Sequence, residues 1–174
     1  LEIDFDEVCW LKLAKSAGVQ HIVKLSVMRV EEDDIFQHGE SERNIIDSGI
    51  PYTHLRPNTF MQNFNRYDLE NIRDKHQLCF PAGMGKMSFI DTRDIANVAA
   101  KILLNPHDHL NMRYTLTGIE ALNYQDAAQL FSEILQYPVD YIDSSKNDDI
   151  QGQNDQKIRS QSNQDEGGLW AKIR

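Results

Sequence analysis

An α/β protein built on a largely parallel sheet is the fold class that this sequence of 174 residues predicts. Three observations carry it. Short β-rich runs alternate with stretches of helical periodicity from Asp6 to Ile142. The run "HIVKLSVM" is nearly continuous in apolar residues, as a strand covered on both faces would be. Glycine and proline fall at the junctions between runs, where a helix or strand must stop.

Each element follows in order. Asp6 to Ser16 is a helix with Val8, Leu11 and Ala14 on helical spacing and Gly18 as a left-handed stop. "HIVKLSVM" is a strand carrying Ile22, Val23, Leu25 and Val27. An acidic loop, Glu31 to Asp34, leads to a second helix over Phe36 to Asp47 that Gly49 and Pro51 terminate. "YTHLRP" is a short strand stopping at Pro57; "MQNFNRYDLENIRDK" is helical; "LCFP" is a strand, "PAGMGK" a turn and "MSFI" another strand. "DTRDIANVAAKILLN" is the clearest helix, with Ile95, Val98, Ala99, Ile102 and Leu103 on one face and Asp91 or Thr92 as its cap. "MRYTLTG" is a strand, "NYQDAAQLFSEILQ" a helix capped by Asn123, and "VDYID" the last strand. From Asp143 to Gly168 there are no aromatic residues and the only aliphatics are Ile150 and Ile158. Such a stretch buries too little apolar area to offset its ordering entropy, so residues 143–174 are expected to form a disordered tail behind a folded part spanning 1–142.

Composition narrows the function. The net charge of −9 argues against nucleic-acid binding and against docking on an anionic membrane. No apolar run approaches the roughly 18 residues of a membrane span, and the acidic start is unlike a signal peptide. Cys9 and Cys79 lie far apart among apolar neighbours and read as reduced core residues. With no disulfide framework and no metal-ligand spacing, a reducing cytoplasmic compartment is expected, with no metal.

Four patterns bear on chemistry. "PAGMGKMS" fails as a phosphate loop, because Phe80 stands where the first glycine is needed and Met87 follows the lysine. His38 and Glu42 share a helix face, either as a proton-handling or hydroxyl-clamping pair or as an ordinary helix pair with Glu42 bonded within the fold. Leu25 and Ser26 end one strand, and Pro57, Asn58 and Phe60 leave the next. In open α/β sheets ligands collect at such carboxyl ends, so these residues border either a ligand or a plain loop. Arg93 and Asp94 sit at a helix start, where an acidic residue complements the dipole without any function.

"AKSAGVQHIVKLS", "HGESERNIIDSGIPYTHLRPNTFMQNF", "FIDTRDIANVAAKIL" and "YTLTGIEALNYQDAAQLFSEIL", in this order and spacing, resemble the NmrA-like group of atypical short-chain dehydrogenase/reductases over Phe5 to Asp143. The resemblance implies part of a Rossmann NAD(P)-binding domain with a small C-terminal substrate region. It implies NAD(P) as cofactor, NADP slightly preferred, and a small carbonyl, quinone or similar acceptor as substrate. It makes Leu25, Ser26, Pro57, Asn58 and Phe60 the cofactor border, and His38 and Glu42 the catalytic residues that orient substrate or ribose. A non-catalytic, redox-sensing NAD(P)-binding regulator is the alternative.

Two departures from the family are expected to matter. The glycine-rich turn that brings backbone N–H groups to the pyrophosphate does not occur in these residues, so the chain is expected to be truncated by two or three βα units before Leu1. Weak NAD(P) affinity, marginal stability and association through an exposed sheet edge follow from that expectation. The family's Tyr-x-x-x-Lys is also replaced. Asp34 falls at the tyrosine position, His38 at the lysine position and Ser26 near the family's serine. An ionised Asp34 carboxylate donates no proton at neutral pH.

Overall fold

The computed structural model describes residues 6–30 and 38–146. They fall into two compact units, the first drawn from Leu1–Phe60 and Ser88–Ile119, the second from Met61–Met87 and Glu120–Arg174.

The first unit is a parallel sheet with helices on its two faces. Helix α1 (Glu7–Ser16) starts where the Asp6 carboxylate accepts a hydrogen bond from the Cys9 N–H at 3.1 Å, and it is closed by Gly18 at a φ of 78°. Strand β1 (Ile22–Leu25) pairs with β2 (Tyr52–Pro57), and β2 pairs with β4 (Met112–Leu116), all parallel, in the order β1-β2-β4. Leu25 stands opposite Leu55, and Leu55 opposite Tyr114. Helix α2 (His38–Ser48) joins β1 to β2, and α3 (Thr92–Leu104) precedes β4.

Period-2 alternation sorts these strands into two faces. Ile22 and Tyr52 pack with Leu11, Ala14 and Ile45 of α1 and α2. Val23, Leu55, Tyr114 and Leu116 pack with Ile95 and Ile102 of α3. Asp91 caps α3 by accepting from the Arg93 N–H at 2.8 Å. After β4 the chain passes Phe89 so closely that a Cβ on Gly118 would lie 2.0 Å from the Phe89 carbonyl oxygen, which only glycine avoids.

The second unit is smaller. The helix expected over residues 61–75 forms, but its middle widens into two π-helical turns, Phe64–Asp68 and Asn71–Lys75, and His76 in the left-handed region ends it. Strand β3 (Gln77–Cys79) pairs in parallel with β5 (Asp140–Ile142). Helix α4 (Tyr124–Leu135) opens with a capping box between Asn123 and Asp126. Aromatic contacts of Phe64 with Tyr124 and Phe131, and of Phe80 with Tyr124, fill the space beneath it.

Several expectations change. "MSFI" is no strand: Met87 bridges Leu122 antiparallel and Ile90 bridges Phe60 parallel, so neighbouring residues reach different partners and no ladder builds. The first strand stops at Leu25 and is only half covered, with Leu25 49% exposed. Cys9 is exposed, because α1 buries only the stripe of Leu11 and Ala14; Cys79 is buried as expected. Leu103 turns outward on α3, and Arg93 pairs with Asp91 rather than standing with Asp94. Of the stretch expected to be a disordered tail, Ser144–Lys146 form a 3-10 turn after β5 and Ser144 is buried. Residues 147–174 and the Glu31 to Asp34 loop lie outside the described residues. Among the described residues no helix is long and apolar enough to cross a membrane.

Candidate functional site

The carboxyl ends of β1 and β2 lie side by side. The Ser26 N–H donates to Leu55 O at 2.7 Å, and the Met28 N–H to Pro57 O at 3.0 Å, so the chain leaving β1 stays registered on β2 past the end of the strand. Leu25, Ser26, Pro57, Asn58 and Phe60, expected at one place, therefore share this end of the sheet. They divide between its two faces.

On the α3 face a groove of about 290 Å³ opens. Its floor is Val23, Leu25 and Leu55; Phe60 stands at one side, and Ile95, Ala96, Ala99 and the helix-starting Thr92 form the other. The two alanines keep α3 from filling the space. The lining is apolar apart from Thr92, which favours an uncharged group over a charged one. Asn58 stands beside it but is engaged locally: its N–H donates to Leu116 O at 2.9 Å, and its side-chain oxygen accepts from the Thr59 N–H at 2.7 Å.

On the α2 face, the same strand ends carry charge. Glu42 of α2 is buried and takes a two-pronged hydrogen bond from Arg56, Nε to Oε1 at 3.0 Å and an Nη to Oε2 at 2.5 Å. His54, fully buried, places Nδ1 3.1 Å from Glu42 Oε2 and stacks on Tyr52 with ring centroids 4.4 Å apart. Burial pushes the Glu42 carboxyl up, but hydrogen bonds from Arg56 and Ser26 and the charges of His54 and Arg56 overcome it and hold the group at about 2. Burial pushes His54 below the ordinary imidazole value; Glu42 opposes this, and Arg113 and Arg56 reinforce it. Burial likewise lowers Lys24, against the pull of Glu7 and Glu42.

Of the two helix residues singled out in the sequence, Glu42 thus lies inside the fold, bonded to Arg56, while His38 is half-buried one turn earlier at the start of α2. The cluster's other members, His54 and Arg56, are not signalled by any motif. Their signal is positional: polar residues at alternate places in "YTHLRP", a strand otherwise suited to burial, facing the same helix as Glu42.

The charged cluster is enclosed and offers no cradle for phosphates, and among the described residues no glycine-rich turn opens a helix.

Comparison with known proteins places this geometry. An NAD(P)H azoreductase of Xenophilus azovorans is 38% identical over 133 residues, covering 74% of this chain and 46% of the azoreductase. The triphenylmethane reductase of a Citrobacter species, solved with NADP(H), superposes with a TM-score of 0.68 at 27% identity, over 78% of this chain and 48% of that one. An NADPH-dependent quinone oxidoreductase of Escherichia coli gives a TM-score of 0.70 at 26% identity, over 78% of this chain and 50% of that one. The chain spans about half the length of the curated relatives it matches. With the family's sequence profile matching residues 11–152, most of the chain, the protein belongs to the NmrA-like family.

Proposed function

We propose that residues 1–142 supply the later part of an NAD(P)-binding Rossmann domain, with its substrate region, to an NAD(P)H-dependent oxidoreductase of a planar acceptor such as a quinone or azo dye. The observation that carries this reading is the groove at the carboxyl ends of β1 and β2, apolar apart from Thr92 and open beside Phe60. The dinucleotide would supply the hydride. Leu25, Leu55 and Phe60 would hold its ring in the groove, and water would be excluded by Ile95 and the α3 alanines. Ser26, Pro57 and Asn58 would shape the rim. Glu42 would act through Arg56 and Ser26 as a positioning residue, and His38 would be the outer group that orients substrate or ribose. The named reductases among the relatives support an enzyme over a regulator, and the NADP(H) and NADPH complexes among similar structures lean towards NADP.

Joining these residues to the part of the azoreductase relative that they do not match tests the reading. The chimera should oxidise NADPH with an azo dye or quinone, and Phe60→Ala should lower kcat/KM at least ~10-fold, the scale of a lost ring contact in transition-state positioning. Tight NADPH binding without turnover across a panel of acceptors would replace the enzyme by the regulator. The 174 residues alone should bind NADPH weakly, because their sequence carries no G-x-x-G-x-x-G pattern for the pyrophosphate.

A further inference from the structure

Helix α2 buries a carboxylate, Glu42, beside the apolar Ile45 and Gly39. Ile45 packs with Ile22 and Tyr52 of the sheet, and Ser41 and Asn44 tie the helix to Glu7 of α1. The Glu42 carboxylate is fully engaged by Arg56. His54 lies directly beneath it, completely enclosed, with no hydrogen-bond partner for Nε2 among the described residues. The groups facing this ring are Glu42 from α2, Arg56 on the same strand, Arg113 from β4 and the stacked Tyr52. Lys24 of β1 adds a further positive charge near Glu42. A proton on the enclosed His54 would meet one carboxylate already paired with Arg56, and the Arg113 guanidinium besides.

We propose that Glu42, Arg56 and His54 form an acid-released latch: α2 is fastened to the sheet at neutral pH and lifts from it as acid supplies the proton that His54 takes up once exposed. The closed state, where burial outweighs the pull of Glu42, takes up that proton less readily, while the open state binds it with the ordinary imidazole affinity near pH 6.5. A group whose proton affinity is depressed in the closed state lends its full stabilisation above the open-state value and loses it as pH falls. Opening of α2 should therefore grow by up to about tenfold per pH unit below 6.5. Because Ser26 borders the cluster and directly follows Leu25 of the groove floor, release of α2 would also loosen the rim of the groove. That last consequence rests on the function proposed above; the latch itself does not.

Amide exchange of α2 measured relative to α3 in the same molecule tests it without cofactor or substrate, since the intrinsic pH dependence of exchange cancels in the ratio. The ratio should be nearly steady above pH 7 and rise by up to about tenfold by pH 5.5. His54→Asn should flatten the rise; His54→Leu, at home in a buried strand, serves if the asparagine variant does not fold. His38→Gln should leave the rise in place, because the latch is built on His54 beneath the helix and not on the histidine of α2 itself. A flat ratio in the wild type, an unchanged rise in both His54 variants, or a rise abolished by His38→Gln would overturn the latch. Loss of oxidoreductase activity in the chimera would leave this result standing, so the two readings fail separately.

Discussion

At the carboxyl end of the same three strands, the two faces are built on opposite principles. Against α3, Val23, Leu55, Tyr114 and Leu116 meet Ile95 and Ile102, and an open apolar groove remains at the carboxyl end. Against α2, His54, Arg56 and Ser26 meet Glu42, and the space is closed. Strand alternation makes this unavoidable, since Leu55 faces one way while His54 and Arg56 face the other. The difference teaches where each face is vulnerable. The apolar face loses stability in proportion to the atoms removed. The charged face fails when one partner goes and leaves the other buried alone.

The largest expected effect follows from that asymmetry. Arg56→Ala strands the Glu42 carboxylate, and the broken buried pair should cost about 4 kcal/mol in urea unfolding. Rescue by the double variant Arg56→Met with Glu42→Leu would show that the loss comes from the unpaired charge rather than from missing contacts. On the other face Leu55→Ala, at 1% exposure, should cost about 3 kcal/mol from lost transfer energy and the cavity left behind. No second substitution of charge should rescue it. If the two single variants cost the same and neither is rescued, the contrast between the faces is wrong.

Much of this architecture is readable from the chain. "YTHLRP" appears as β2 with the bounds its pattern predicts, since β-rich residues end at a proline. Asp91 and Asn123 cap their helices as their positions suggest. Local chemistry dictates those features. The faces are less readable. Nothing local distinguishes Glu42 as a solvated helix residue from Glu42 as the centre of a buried cluster, because Arg56 lies fourteen residues away and only the β1–β2 register brings Ser26 alongside. "MSFI" fails for a related reason: its β propensity is real, but Met87 and Ile90 find single partners on separate segments. The groove depends on Ala96 and Ala99, whose small size reads in sequence simply as good helix formation.

A smaller effect separates the faces by pH. Glu42 is held at about 2 in the fold against an ordinary value near 4.5. Its contribution should be complete above pH 4.5 and disappear as pH falls from there towards 2, the direction for a carboxylate whose folded value is depressed. Urea midpoints of Leu55→Ala should show the same acid step as the wild type, displaced downward. Those of Glu42→Gln should lack it. An acid step that survives Glu42→Gln would assign the loss to other carboxylates.

The smallest effect is the most discriminating. Ala96 is exposed on α3 and faces the groove. Leucine has nearly the helix propensity of alanine, so Ala96→Leu should leave the urea midpoint within about 0.5 kcal/mol. In a closed core the same added volume would force rotamers and backbone to shift, at about 1–3 kcal/mol. Stability alone therefore reports whether the groove is open. Activity of the azoreductase chimera then reports whether the opening is used: leucine should occupy the place of the ring and raise KM for NADPH or for the acceptor while kcat changes less. A destabilisation above 2 kcal/mol would make this face closed core, as the α2 face is. Unchanged stability with unchanged kinetics would leave the groove open and move the ligand elsewhere along the strand ends, towards Ser26 and Asn58.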